Sequence, residues 1–217
     1  MGEFKVRPLK IPKHHDGAFE GASKSIKKKG DLKSRKVEDD EYVRQYLKYY
    51  YQLQKSEGFA VDWDQFDYAF FTKSLDNPPR GFCTTRSPAQ IVREVTLLAL
   101  ARQNEAKGTK LVLVEHIQAN FQFVNGILCW LSFWAVDMNS PTPQSKIYQA
   151  KLWQRGKEHE LLLFRLKPTD EEIASVEVEP PPPIQCEDSE EDAVVFARAG
   201  PEDDPGLPFV FHRTGAS

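Results

Sequence analysis

Cysteine is scarce and odd in number: Cys83, Cys129 and Cys186 are the only three in 217 residues. Without even pairing or metal-ligand spacing, they exclude a disulfide framework and fit a reducing compartment. Long apolar runs are missing as well. No stretch approaches the roughly 18 to 20 apolar residues of a membrane-crossing helix, so no membrane partner is expected. The opening residues, MGEFKVRPLK, contain no apolar core of a secretory leader. Val6 stands where a myristoylation signal needs Ser or Thr. A cytoplasmic or nuclear protein is the expectation.

The usual marks of catalysis are also lacking. There is no glycine-rich phosphate loop and no pair of carboxylates at a working separation. His116 and Cys129 are the only nucleophile–base candidates on neighbouring runs. The strand register derived below sets His116 opposite Trp134, roughly 16 Å along the strand from Cys129 and beyond proton-transfer reach. His14 and His15 lie in the arm expected to be disordered, and neither His159 nor His212 has a metal-ligand companion at ligand spacing. Asp62, Asp64 and Asp67 loosely resemble a calcium loop. Phe66 occupies an oxygen-ligand position, however, and no glycine follows. No metal, no cofactor and no enzyme activity are expected.

What is present is unevenly distributed. The net charge of −3 conceals a basic arm, with Lys27-Lys28-Lys29 and Lys33-Ser34-Arg35-Lys36, and an acidic, proline-rich end beyond Pro168. Such blocks ordinarily stay solvated and disordered. A basic cluster can also serve as an import address or a nucleic-acid contact, but no nucleic-acid module accompanies it here. Four segments follow: a disordered basic arm over 1–37, a helical and aromatic extension over 38–80, a folded domain over 81–167, and a disordered tail over 168–217.

Within the extension, Val43, Tyr46, Leu47, Tyr50 and Leu53 recur at helical spacing, with Asp39 or Asp40 to start a helix and Gly58 to end it. The second helix has Ser87-Pro88-Ala89-Gln90 as a capping box and Gly108 as its stop. Ile91, Val95, Leu98 and Ala99 form its buried face. Two β-rich runs within 111–137 meet at Val124-Asn125-Gly126, a strong hairpin cue because Asn and Gly tolerate positive φ. Further strand-like runs at 147–154 and 160–166 complete an α+β pattern, with a helix on one face of an antiparallel sheet.

Inside the hairpin, Gln122-Phe123-Val124-Asn125-Gly126 matches Q-x-V-x-G, the signature of cystatins, protein inhibitors of papain-like cysteine proteases. From Val95 to Trp153 the chain resembles a plant cystatin, which implies an α+β fold of one helix packed on a curled antiparallel sheet of four to five strands. Val95-Thr96-Leu97-Leu98-Ala99-Leu100 holds the place of the family's LARFAV helix motif, and Asn104 matches the asparagine that follows. Tyr148-Gln149-Ala150-Lys151-Leu152-Trp153 resembles the family's YEAKVW strand. The resemblance implies reversible protease binding through Gln122, Phe123, Val124, Asn125 and Gly126. The family's Pro-Trp segment is replaced by Gln154, Arg155, Gly156 and Lys157, and Gly81 is the candidate trunk glycine. Losing an aromatic anchor commonly removes about 2 kcal/mol or more from an interface, so inhibition is expected to be weak. The alternative is a cystatin-fold interaction module without inhibitory action.

Side chains alternate along a strand, so the turn length decides which face is buried. A three-residue turn at Val124-Asn125-Gly126 puts Ile117, Ala119 and Phe121 beside Cys129, Leu131, Phe133 and Ala135 under the helix. It sends Trp130 and Trp134 to the convex face. Two exposed tryptophans would form an uncommonly large apolar patch. The first helix, with Trp63 and Phe66, is expected to cover them; the rival expectation is that they form a partner-binding surface.

Overall fold

Asp39 starts the first helix. Its carboxylate accepts the Glu41 N–H at 3.0 Å, and α1 spans Asp40–Lys55. Gly58 then reverses the chain with φ +88°. The Asp39 carboxyl lies below its usual range chiefly because the Tyr68 hydroxyl donates to it. The structure, a computed structural model, describes residues 32–34, 39–79, 85–185, 193–200 and 209–214.

The sheet begins at β1 (Lys73–Ser74), before the second helix α2 (Pro88–Lys107). The capping box forms as its residues dictate: Ser87 Oγ accepts the Gln90 N–H at 3.2 Å, and Gln90 Oε1 accepts the Ser87 N–H at 2.8 Å. Gly108 ends α2 with φ +64°. Asn104 then fixes the exit, because its side chain accepts the Leu111 N–H at 2.8 Å and donates to the Leu111 carbonyl at 3.0 Å. From there the chain runs through β2 (Leu111–Phe123), β3 (Ile127–Asp137), β4 (Ser145–Arg155) and β5 (Glu158–Leu166). The five strands are antiparallel in the order β1-β2-β3-β4-β5.

One core lies between α2 and this sheet. Val92, Val95, Ala99 and Leu100 meet Ala119, Phe121, Cys129, Leu131, Phe133, Ala135, Ala150 and Leu152. The predicted hairpin parity holds, since Phe121 pairs with Cys129 and Phe123 with Ile127 across a three-residue turn. Ile117 departs from its expected face. Irregularities between Leu113 and Glu115 and between His116 and Gln118 shift the β2 register twice. They leave Ile117 45% exposed, as an unpaired bulge residue rather than a core one.

A second core gathers α1, the aromatic run after it and the chain's last third. Val43, Leu47 and Tyr49 pack with Phe66, Tyr68, Phe70, Val194, Phe196 and Phe209. The acidic end expected to be disordered therefore contributes structure: α3 (Asp170–Ser175), and β6 (Ile184–Gln185), β7 (Ala193–Arg198) and β8 (Phe209–Thr214) in one antiparallel sheet. Its described carboxylates, Asp170, Glu171, Glu172, Glu177 and Glu179, are exposed. Arg198 joins Glu177 and Glu179 at 2.9 and 3.0 Å, and Arg213 joins Asp40 at 2.7 Å. Part of the basic arm is ordered too, since Lys33 bridges to Tyr68 in parallel. The folded domain also begins earlier than residue 81, because β1 supplies the edge of its sheet.

A polar seam joins the two cores. Asn120 is fully buried on the convex face; its side chain accepts the Trp63 indole N–H and donates to the Gly58 carbonyl, both at 2.8 Å. Gln118 donates to the Val61 carbonyl at 2.7 Å, and Arg165 pairs with Glu57 at 3.0 Å. Trp130 is covered, at 6% exposure, so it forms no partner surface. The Gly58 turn lies against it: a Cβ on Gly58 would sit 2.6 Å from Trp130 Nε1. Trp134 is only half-buried.

Replacing Gly58 by Ala should therefore cost about 1–3 kcal/mol through overpacking and the positive φ. The urea midpoint should fall at an unchanged slope. A midpoint equal to the parent's would show that Trp130 is not seated on this turn.

Candidate functional site

The turn between β2 and β3 is shaped by two unusual residues. Asn125 has φ +32° and Gly126 φ +129°, conformations that Asn tolerates and Gly adopts freely. Gly126 is needed for space as well. A Cβ there would lie 2.5 Å from the Gln154 carbonyl oxygen, 3.1 Å from Trp153 Nε1 and 3.3 Å from Arg155 Cβ. The first hairpin tip thus rests against the end of β4. Gln154 pairs with Ile127, and β4 turns into β5 through Gly156, with φ +59°, and Lys157. The sheet so brings together two groups that lie apart in sequence: Gln122, Phe123, Val124, Asn125 and Gly126, and Gln154, Arg155, Gly156 and Lys157.

A third segment joins them from the other side. Lys73 pairs with Phe121 and Ser74 with Asn120, so the residues just before β1 run beside the tip. Thr72 Oγ1 lies 3.3 Å from Gln122 Oε1. Phe70 is buried and stacks on Tyr49 at 4.5 Å between ring centroids. Thr72 is also buried, and its N–H donates to the Tyr49 hydroxyl at 3.0 Å. With both neighbours held inward, Phe71 points out and is 70% exposed. The chain after β1 is clipped to β2 by Asp76, which accepts the Ala119 N–H at 2.8 Å and contacts His116 Nε2 at 2.6 Å.

The described segment beside the hairpin is Phe71-Thr72-Lys73; Gly81 lies outside the described residues. Sequence reasoning missed Phe71. The signal was its place in Tyr68-Ala69-Phe70-Phe71, where alternation leaves one aromatic facing out, but the reach of β1 back to residue 73 was not visible. At the tip, Phe123 is 52% exposed, with its ring edge-on to Phe121 at 5.5 Å and the Lys73 ammonium 5.9 Å above it. The site is a narrow ridge with two partly exposed aromatic rings and a backbone apex.

His116 pairs with Phe133 rather than lying opposite Trp134, which faces Glu115. The β2 irregularity between His116 and Gln118 accounts for the shift, and Cys129 remains four strand positions away. Burial pushes the Cys129 thiol up to about 12. Among the described residues no cluster of His, Cys, Asp and Glu could hold a metal ion, and no helix is long and apolar enough to cross a membrane. No protein-family model matches the chain, and no curated protein sequence matches it significantly.

A thiol this buried and this reluctant to ionise is inert while the fold holds. At pH 8, iodoacetamide should leave Cys129 unmodified in the native protein and alkylate it in denaturant, as read by peptide mass spectrometry. Native labelling at a rate matching free cysteine would contradict its place beneath α2.

Proposed function

We propose that the chain is a cystatin-like protein that binds papain-like cysteine proteases reversibly and weakly, as a wedge rather than as a substrate. The observation that carries this reading is the convergence of Phe71, the Q-x-V-x-G tip and the 154–157 turn at one end of the sheet. The strand order, with α2 between β1 and β2, agrees with the same reading. Binding of this kind needs no chemistry from the inhibitor. A stiff apex covers the protease's catalytic cysteine, excludes water from it and offers no bond in a cleavable pose.

Stiffness matters because every rotor frozen on association costs roughly 0.5–1.5 kcal/mol. Here the apex is held before binding by the tight Gly126–Gln154 approach and by the Thr72–Gln122 contact. The second hairpin contributes no aromatic anchor, which sets the affinity low. Phe71 offsets part of that loss. Fully burying a Phe side chain contributes about 1.5–3 kcal/mol, and Phe71 has 70% of its surface still to bury.

The full chain, titrated against papain hydrolysing a fluorogenic peptide, should inhibit competitively with Ki on the order of 1–100 μM. The Gln122→Ala, Val124→Ala double variant should raise Ki by about tenfold or more, and Phe71→Ala by about fivefold. Absence of inhibition at about 100 μM would remove the proposal. Inhibition indifferent to all three substitutions would relocate the site.

A further inference from the structure

Resting on the reading of the tip as a protease-binding wedge, we propose that its partner carries a carboxylate-lined rim around the apolar cleft that receives Phe71 and Phe123. Three cations lie along this end of the sheet. The Lys73 ammonium lies 5.9 Å from the Phe123 ring centroid. Arg155 lies beside Gly126, its Cβ 3.3 Å from where a glycine Cβ would stand. Lys157 is exposed at the second hairpin turn. Because β1 to β4 are successive neighbours, the cations span roughly 14 Å at about 4.8 Å per strand.

Among the described residues no carboxylate forms an ion pair with Lys73, Arg155 or Lys157, whereas Arg165, Arg198 and Arg213 elsewhere are all paired. One carboxylate faces the group: Glu158 lies opposite Arg155 in the β4–β5 ladder. The remaining polar residues of the ridge, Gln122, Asn125 and Gln154, are uncharged. The tip is thus locally positive on a chain whose net charge is −3. Such an asymmetry orients an approaching acidic surface and speeds encounter, and salt screens it over about 10 Å. A bare cationic patch would take any polyanion. A ridge only three strand spacings wide, with a ring on its crest and another beside it, fits a cleft in a protein better than a flat surface.

The test uses the full chain and two forms of one papain-like protease: a form with acidic residues along its cleft rim, and the same enzyme with those carboxylates changed to amides. Ki should be about tenfold lower for the acidic form at about 20 mM salt, and the difference should shrink toward unity at about 500 mM. A Lys73→Gln, Arg155→Gln, Lys157→Gln variant with native circular dichroism should lose the difference. If that variant fails to fold, the comparison of the two protease forms with the unaltered chain decides alone. Equal Ki for the two forms at both salt concentrations overturns the acidic rim and leaves the wedge standing; no inhibition of either form overturns both. Binding to phosphatidylserine vesicles that the triple variant loses, with equal Ki for the two proteases, would assign the cations to a lipid surface and also overturn the proposal.

Discussion

The parity of the β2–β3 ladder governs the rest of the molecule. Side chains in a strand alternate with period two, so a turn one residue longer or shorter would exchange the two faces. With Asn125 and Gly126 both at positive φ, three residues suffice to reverse the chain, and Phe123 meets Ile127. Phe121, Cys129, Ala119 and Leu131 then fall beneath α2. Asn120 and Trp130 fall on the opposite face, where Gly58 and Trp63 receive them. A slip of one residue would drive the Asn120 amide into the α2 core and leave the Trp63 N–H and the Gly58 carbonyl without their partner. Each buried group left unpaired costs about 1–3 kcal/mol, so the alternative register is disfavoured twice.

The second core bears on the site through one short segment. Helix α1 alone would be an amphipathic helix with unmet apolar faces; Phe66, Tyr68 and Phe70 cover one of them, and Val194, Phe196 and Phe209 add to the same core. Tyr49 is the link. Its ring stacks on Phe70 and its hydroxyl accepts the Thr72 N–H, which fixes the backbone on either side of Phe71. The added N-terminal structure therefore braces the edge of the ridge, so that an exposed aromatic stands beside the hairpin tip without freedom to fold back.

Much of this was legible in the residues because the signals were local. Ser87 and Gln90 specify a helix start, Gly108 its stop, and Asn125-Gly126 a reversal, each through its own side chain or φ preference. The hairpin parity followed from the register of the cystatin resemblance together with the choice of the smaller, better-packing set over the one a two-residue turn would bury. The bulges that expose Ile117 were not legible, since Val114 and Ile117 have the side chains of ordinary strand residues and only the pairing with β3 reveals the extra positions. The ordered chain end was hidden for a different reason. Short apolar runs, Val194 to Phe196 and Phe209 to Phe211, sit among carboxylates and prolines, and composition averages over them. The burial of Val194, Phe196 and Phe209 depends on α1, more than 130 residues away, a partnership no sequence window contains. The family pattern pointed to Gly81 as the trunk, and nothing in it pointed to Lys73 and Ser74, which pair with the edge of β2.

The central claim is that three separated segments act as one binding edge. Amide chemical-shift mapping of the full chain on adding papain with its catalytic cysteine blocked by a small methylthio group tests it most directly. The account predicts the largest shifts at Phe71 to Lys73, Gln122 to Gly126 and Arg155 to Lys157 together, saturating with one affinity. Shifts confined to the acidic chain end or to the exposed start of β2, or no shifts at all, would contradict it.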